Sequence, residues 1–150
     1  MNSVEVTIEN LSIDRLSEIL ESGAKVTLAA ATKEKIAKCR AYLDKKMAGG
    51  NEVFYGINTG FGSLCNTVVS NDQLSQLQEN LVKSHACGLG EEVSSEIVKI
   101  MLLLKVQGLS YGHSGVAVET VQRLVDFYNE DVIPVVYKEG SLGASGDLAP

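Results

Sequence analysis

The stretch IVKIMLLLKVQGL, Ile97 to Leu109, places apolar residues around most of a helix's circumference. Such a helix cannot rest one stripe on a core and turn the rest to water. It has to be covered on nearly every side, which a helical bundle does. The stretch is shorter than the ~20 residues a membrane span needs, and Lys99 and Lys105 interrupt it, so it is read as a core helix. Its neighbours carry the same period with one apolar face each. In NLSIDRLSEILESG, Ser12 is an N-cap, Ile13, Leu16, Ile19 and Leu20 form the face, and Gly23 ends the helix. Thr32 could cap a helix running to about Ala48 with Ile36, Cys39, Leu43 and Met47 inward. NDQLSQLQENLVKSHACGLG predicts a helix with Leu74, Leu77, Leu81 and Val82 inward and Gly88 and Gly90 beyond its end, and VAVETVQRLVDFYNED predicts another. Val4–Glu9 and KVTLA read as short strands, and VIPVVYKEG as extended, because Pro134 forbids helix there. The expected fold is mainly α.

With 150 residues the chain is long enough for one domain with a real core. Its formal charge of −6 argues against nucleic acid, which calls for a basic face, and against anionic membrane surfaces. Three cysteines, Cys39, Cys65 and Cys87, form no C-x-x-C pair, so neither a disulfide framework nor a zinc site is expected, and a reducing cytoplasm fits. MNSVEVTIEN lacks a basic region followed by an apolar run, so no signal peptide is expected. His85 and His113 have no metal-ligand spacing with each other, and no metal is expected.

The helical period disappears in two places. Gly56, Gly60 and Gly62 puncture FYGINTGFGSLCNT, and GSLGASGDLAP holds six small residues among its first seven. Familiar motifs fail there. A G-x-S-x-G elbow meets Asp147 in fifth place from Gly143 and Val116 from Gly112, and no G-x-x-x-x-G-K occurs. Ala144-Ser145-Gly146 permits a different chemistry. Gly146 lacks a Cβ, so its nitrogen could approach the Ala144 carbonyl carbon closely. Loss of one water closes a five-membered ring, and loss of a second from Ser145 leaves an exocyclic methylene. The product would be a methylidene-imidazolone, an electrophile made from the chain. The compression costs energy and depends on a surrounding fold. Taken alone, the tripeptide reads equally as a small-residue turn.

Three segments in order carry a resemblance. GSLGASGDLAP resembles the signature of the aromatic amino acid ammonia-lyases, which build this electrophile from Ala-Ser-Gly. FYGINTGFG (Phe54 to Gly62) resembles the family's tyrosine loop, and NLVKSHACGLGE (Asn80 to Glu91) its substrate-selecting helix end. The resemblance runs from about residue 4 onward, and Ser84-His85 looks like the selector of members acting on histidine.

The resemblance implies the N-terminal portion of the fumarase/aspartase-like helical-bundle lyase fold, with short strands and glycine-rich active-site loops. It implies elimination of ammonia from L-histidine to give trans-urocanate. Ala144, Ser145 and Gly146 would form the prosthetic group, with no external cofactor. Tyr55 would be the base that takes the substrate's β-proton; because a free phenol ionises near pH ~10, such a base depends on a local positive field. His85 would hydrogen-bond the substrate imidazole. Asn58 would anchor the loop or the substrate, Gly56, Gly60 and Gly62 would let the loop close over substrate and exclude water, and Asp147 would assist ring closure, hold its loop or stand as a carboxylate at a helix start. The partners implied are a small amino acid and other subunits of a homotetramer, or the remaining part of the enzyme. Family members are much longer than 150 residues, so the chain is expected to be their N-terminal part, ending just after the Ala-Ser-Gly motif and without the central bundle. A lyase or aminomutase acting on tyrosine or phenylalanine stays open, as does a non-catalytic fragment.

Overall fold

A computed structural model describes residues 3–49, 52–143 and 146–149. In chain order the elements are β1 (Ser3–Val6), α1 (Ile13–Ser22), β2 (Lys25–Leu28), α2 (Ala30–Ala48), α3 (Leu74–His85), β3 (Leu89–Glu92), α4 (Ser95–Ser110), α5 (Val118–Asn129), β4 (Tyr137–Glu139), β5 (Leu142–Gly143) and β6 (Gly146–Asp147). The expectation of a mainly helical chain holds. Among the described residues no helix is long and apolar enough to cross a membrane. The elements form two compact units, one of residues 1–48 and 94–135, the other of residues 49–93 and 136–150.

The first unit is built on a β1–α1–β2 crossover. β1 and β2 pair in parallel with Ser3 opposite Lys25 and Val6 opposite Leu28. α1 starts where expected, the Ser12 Oγ accepting from the Arg15 N–H at 3.1 Å. It ends at Gly23, whose φ of +59° is the left-handed conformation a helix stop favours. α4 and α5 then close the core. Val98, Leu102, Leu103 and Val106 of α4 are buried, as are Val121, Val125 and Tyr128 of α5; most of these join Val6, Ile19, Val26, Leu28 and Ile36 in one cluster. Each fully buried aliphatic side chain stabilises by about 1.5–3 kcal/mol. Two amides tie helices to the backbone of β2 and of the segment that follows β1. Asn129 accepts from the Val26 N–H and donates to the Val26 carbonyl, both at 2.8 Å. Gln107 donates to the carbonyls of Thr7 and Glu9.

Several sequence expectations change. The first strand stops at Val6 instead of reaching Glu9. Thr32 is not a cap: α2 begins two residues earlier, and the buried Thr32 hydroxyl donates to the Val6 carbonyl at 3.1 Å. Ile13 of α1 and Val82 of α3 are 81% and 71% exposed, so neither belongs to an inward face. α4 is not covered all round within this chain, since Ile97 and Leu104 lie two turns apart on an exposed stripe.

Tyr128 sits beneath the Lys99 ammonium, 5.1 Å from its ring centroid, and Lys99 pairs with Asp131. Burial pushes the Tyr128 hydroxyl above its usual ionisation range; Lys99 opposes the shift and Asp131 adds to it. The fold therefore favours the protonated phenol. That contribution is whole below pH ~10 and is lost as pH rises through the folded-state value. Thermal melts between pH 7 and 11 are expected to show a steeper alkaline loss of stability in the unaltered chain than in Tyr128→Phe. Parallel curves would show that Tyr128 does not titrate with unfolding.

Candidate functional site

Among the described residues, the second unit contributes no side chain to the buried apolar cluster. Its buried residues are polar or small: Asn58 and Thr59 are 7% and 0% exposed, and Gly60 is buried. Hydrogen bonds shape the glycine-rich loop instead. The Asn58 side chain accepts from the Phe54 N–H at 2.7 Å and donates to the Glu52 carbonyl at 2.9 Å. The Thr59 hydroxyl accepts from the Gly56 N–H and donates to the Gly60 carbonyl. The Val69 N–H reaches the Asn58 carbonyl, and Thr59 bridges Val68. A further amide comes from α3, where Gln78 Nε2 donates to the carbonyls of Gly56 and Ile57 at 3.2 and 3.0 Å.

The loop displays two aromatic rings. Tyr55 is 59% exposed, and its hydroxyl oxygen accepts from the Gly62 N–H at 3.4 Å. Its ring lies 5.5 Å from that of Phe61, which meets the His85 imidazole edge-on, also at 5.5 Å. Gly56 makes this possible. Its φ is +69°, and a Cβ there would lie 2.5 Å from Phe61 Cε1.

His85 is the last residue of α3 and is half-buried. Its Nδ1 is 2.7 Å from the Leu81 carbonyl and 2.9 Å from Ser84 Oγ, while the Ser84 hydroxyl itself donates to Leu81 at 2.8 Å. A carbonyl only accepts, so Nδ1 carries a proton. In the neutral ring Nε2 is then a lone-pair acceptor.

Past α3 the chain enters β3, which pairs antiparallel with β4 (Leu89 opposite Glu139) and whose register shifts between Leu89 and Glu92, where Gly90 holds φ +78°. That ladder leads to β5 and β6, where Gly143 pairs with Gly146 and Leu142 with Asp147. Asp147 is not at a helix start; its carboxylate accepts from the Ala149 N–H at 3.2 Å. Ala144 and Ser145 lie outside the described residues.

A cleft of about 380 Å3 opens among these pieces, lined by Phe61, Gly62, Ser84, His85, Cys87 and the backbone around Gly143 and Gly146. The fold thus brings His85, Gly62 and Gly146 to one cleft, with Tyr55 joined to it through Phe61 and Gly62. Asn58 does not line it; both ends of its amide are held by the loop's own backbone. Sequence reading did not single out Gln78, Phe61 or Cys87. Phe61 lay in plain view inside the loop motif, while nothing local marks Gln78. His113 is exposed between α4 and α5. Among the described residues no three of His, Cys, Asp and Glu gather as a metal centre would.

Gly56→Ala is expected to cost about 1–2 kcal/mol from the left-handed backbone alone and to drive Phe61 off the His85 imidazole. NMR reads this as loss of the Phe61 ring-current shift on the His85 ring protons; an unchanged shift would mean the loop tolerates a Cβ.

The aromatic amino acid lyase family model matches residues 11–150. A histidine ammonia-lyase from Deinococcus radiodurans is 46% identical over 141 residues, which are 94% of this chain and 27% of that protein. The crystal structure of histidine ammonia-lyase from Trypanosoma cruzi superposes with a TM-score of 0.78 at 33% identity, covering 98% of this chain and 28% of the other. Tyrosine aminomutase from Streptomyces globisporus superposes at 0.86 with 31% identity, covering 99% and 27%. The chain spans less than a third of the length of these relatives. It belongs to the aromatic amino acid lyase family.

Proposed function

We propose that this chain is the N-terminal part of a histidine ammonia-lyase, which converts L-histidine to trans-urocanate and ammonia. The observation that carries the reading is the state of His85. With Nδ1–H committed to Leu81, the neutral ring offers a lone pair at Nε2, and His85 lines the cleft. A substrate imidazole donates its N–H to such an acceptor, whereas a phenyl side chain would leave the half-buried ring unpaired; a tyrosine hydroxyl can donate there too, and the choice of histidine over tyrosine rests on the relatives. The relatives named as histidine ammonia-lyases support the same choice.

Ala144, Ser145 and Gly146 are the residues we assign to the methylidene-imidazolone, which would draw electrons from the substrate amine and make it a better leaving group. The described residues at the two ends fit: Gly143, just before the triplet, and Gly146, its last member, line the cleft opposite one another, and Gly146 holds φ +92°, a conformation suited to glycine. Tyr55 is the base in this reading. In the phenolate form its oxygen, steadied by the Gly62 N–H, takes the β-proton; the C–H electron pair becomes the Cα=Cβ bond as the Cα–N bond breaks and the amine nitrogen departs with that bond's electron pair. Asn58 holds the loop in register, Gly62 gives it closing freedom, and Asp147 holds the end of the electrophile's loop. Exposed Leu104 and Leu142 are surfaces that the remaining helices of the parent, or other subunits of a homotetramer, would cover. Three cysteines free of disulfides accord with a cytoplasmic enzyme.

The aminomutase likeness favours a second reading, a lyase or aminomutase acting on tyrosine or phenylalanine on the same backbone. A substrate panel with the full-length parent separates the two. Urocanate absorbance is expected from histidine, and His85→Leu should lower kcat/KM on histidine roughly 10–100-fold, the cost of one lost and unreplaced hydrogen bond. Faster turnover of tyrosine or phenylalanine by the unaltered parent would overturn the histidine assignment. Tyr55→Phe should lower kcat by about 10²–10⁴-fold, the range of a lost general base. The 150-residue chain alone is expected to be inactive, with Ala144-Ser145-Gly146 unmodified. Intact mass spectrometry reads this directly, since cyclisation removes two waters.

A further inference from the structure

The loop that presents Tyr55 and the helix that ends in His85 meet at the Phe61–His85 ring contact and at the hydrogen bonds of one side chain, Gln78. Gln78 Nε2 has two N–H donors and two acceptors facing it, the consecutive carbonyls of Gly56 and Ile57. These peptide units directly follow Tyr55. Gln78 and His85 are seven residues apart on α3, close to two full turns, so they share one face of the helix about 10 Å apart along its axis. A single rigid element therefore carries both the clamp on the tyrosine loop and the imidazole at the cleft.

We propose that Gln78 is a positioning residue: by clamping the Gly56 and Ile57 carbonyls it sets the place of Tyr55 relative to His85. This rests on the assignment of Tyr55 as base and His85 as substrate selector. The physical need is plain in this unit. Among the described residues no buried apolar cluster fixes the loop, Tyr55 is mostly exposed, the Phe61–His85 ring contact is non-directional packing, and the bonds of Asn58 and Thr59 shape the loop internally without tying it to α3. Proton abstraction is sensitive to small displacements, and a shift of about 1 Å can cost about 10²-fold in rate. Losing the clamp should thus act on kcat more than on KM.

The test uses the full-length parent and two variants. Gln78→Met keeps the length and removes both donors. It is expected to lower kcat on histidine about tenfold with little change in KM, and to speed amide hydrogen exchange across residues 54–62. Gln78→Glu presents a carboxylate to two carbonyl oxygens and can donate only when protonated. Its activity relative to the unaltered enzyme is expected to rise as pH falls from 8 to 5, a signature that general destabilisation would not produce. An unaltered kcat in Gln78→Met, unaltered exchange over 54–62, or a pH-independent ratio for Gln78→Glu would each overturn the proposal. Failure of the unaltered parent to act on histidine would overturn the functional reading instead, and the exchange measurement would still decide whether Gln78 holds the loop.

Discussion

The amide of Asn58, held between the Phe54 N–H and the Glu52 carbonyl, is the anchor from which the cleft is built. It closes the loop at its base, and the Thr59 hydroxyl, the Val69 N–H and Gln78 extend the same bonding outward. The surrounding unit has little else to hold it, for the buried apolar cluster belongs wholly to the other unit. Apolar burial tolerates sliding because it is non-directional. Hydrogen bonds specify distance and angle, so a loop defined by them can be accurate while its overall stability stays low. Segments with few buried apolar contacts open locally at small cost, and loops that admit substrate are drawn from that class.

The same logic explains the imidazole. A histidine ring in water exchanges tautomers freely. Here the carbonyl one turn back in α3 selects Nδ1–H, a choice that follows from helix geometry, since Leu81 and His85 are four residues apart. Ser84 adds a hydroxyl to the same carbonyl and steadies the ring. Phe61 packs edge-on against it, and Gly56 leaves room for Phe61. The imidazole is thus oriented by one carbonyl, one hydroxyl and one ring.

Much of the helical framework was legible because periodicity and caps are local. Ser12 and Gly23 bound α1 as their side-chain chemistry demands, and α4 and α5 fall within a residue or two of their apolar runs. Thr32 was misread because the alanines at 30 and 31 propagate the helix upstream and the open carbonyl of Val6 captures the hydroxyl. Ile13 and Val82 fit the apolar period of their helices yet face solvent, since a period shows which residues share a face and not whether anything packs on it. Gln78 was invisible for a related reason. A glutamine on a helix becomes a clamp only where a particular loop turns two carbonyls toward it.

Residue order by itself determined that the chain would be helical, that glycine would break it at two places, and that a tyrosine, a histidine and an Ala-Ser-Gly triplet would stand in the three segments that resemble the lyase family. Those properties reside in short stretches, where propensity, turn chemistry and motif spacing act on neighbours. Tertiary structure decided that His85, Gly62 and Gly146 would share a cleft, that Asn58 would face the loop's own backbone, and that α3 would reach back through Gln78 to the carbonyls following Tyr55. Each of these pairs donors and acceptors brought together by the fold, and hydrogen-bond geometry exists only once both partners are in place.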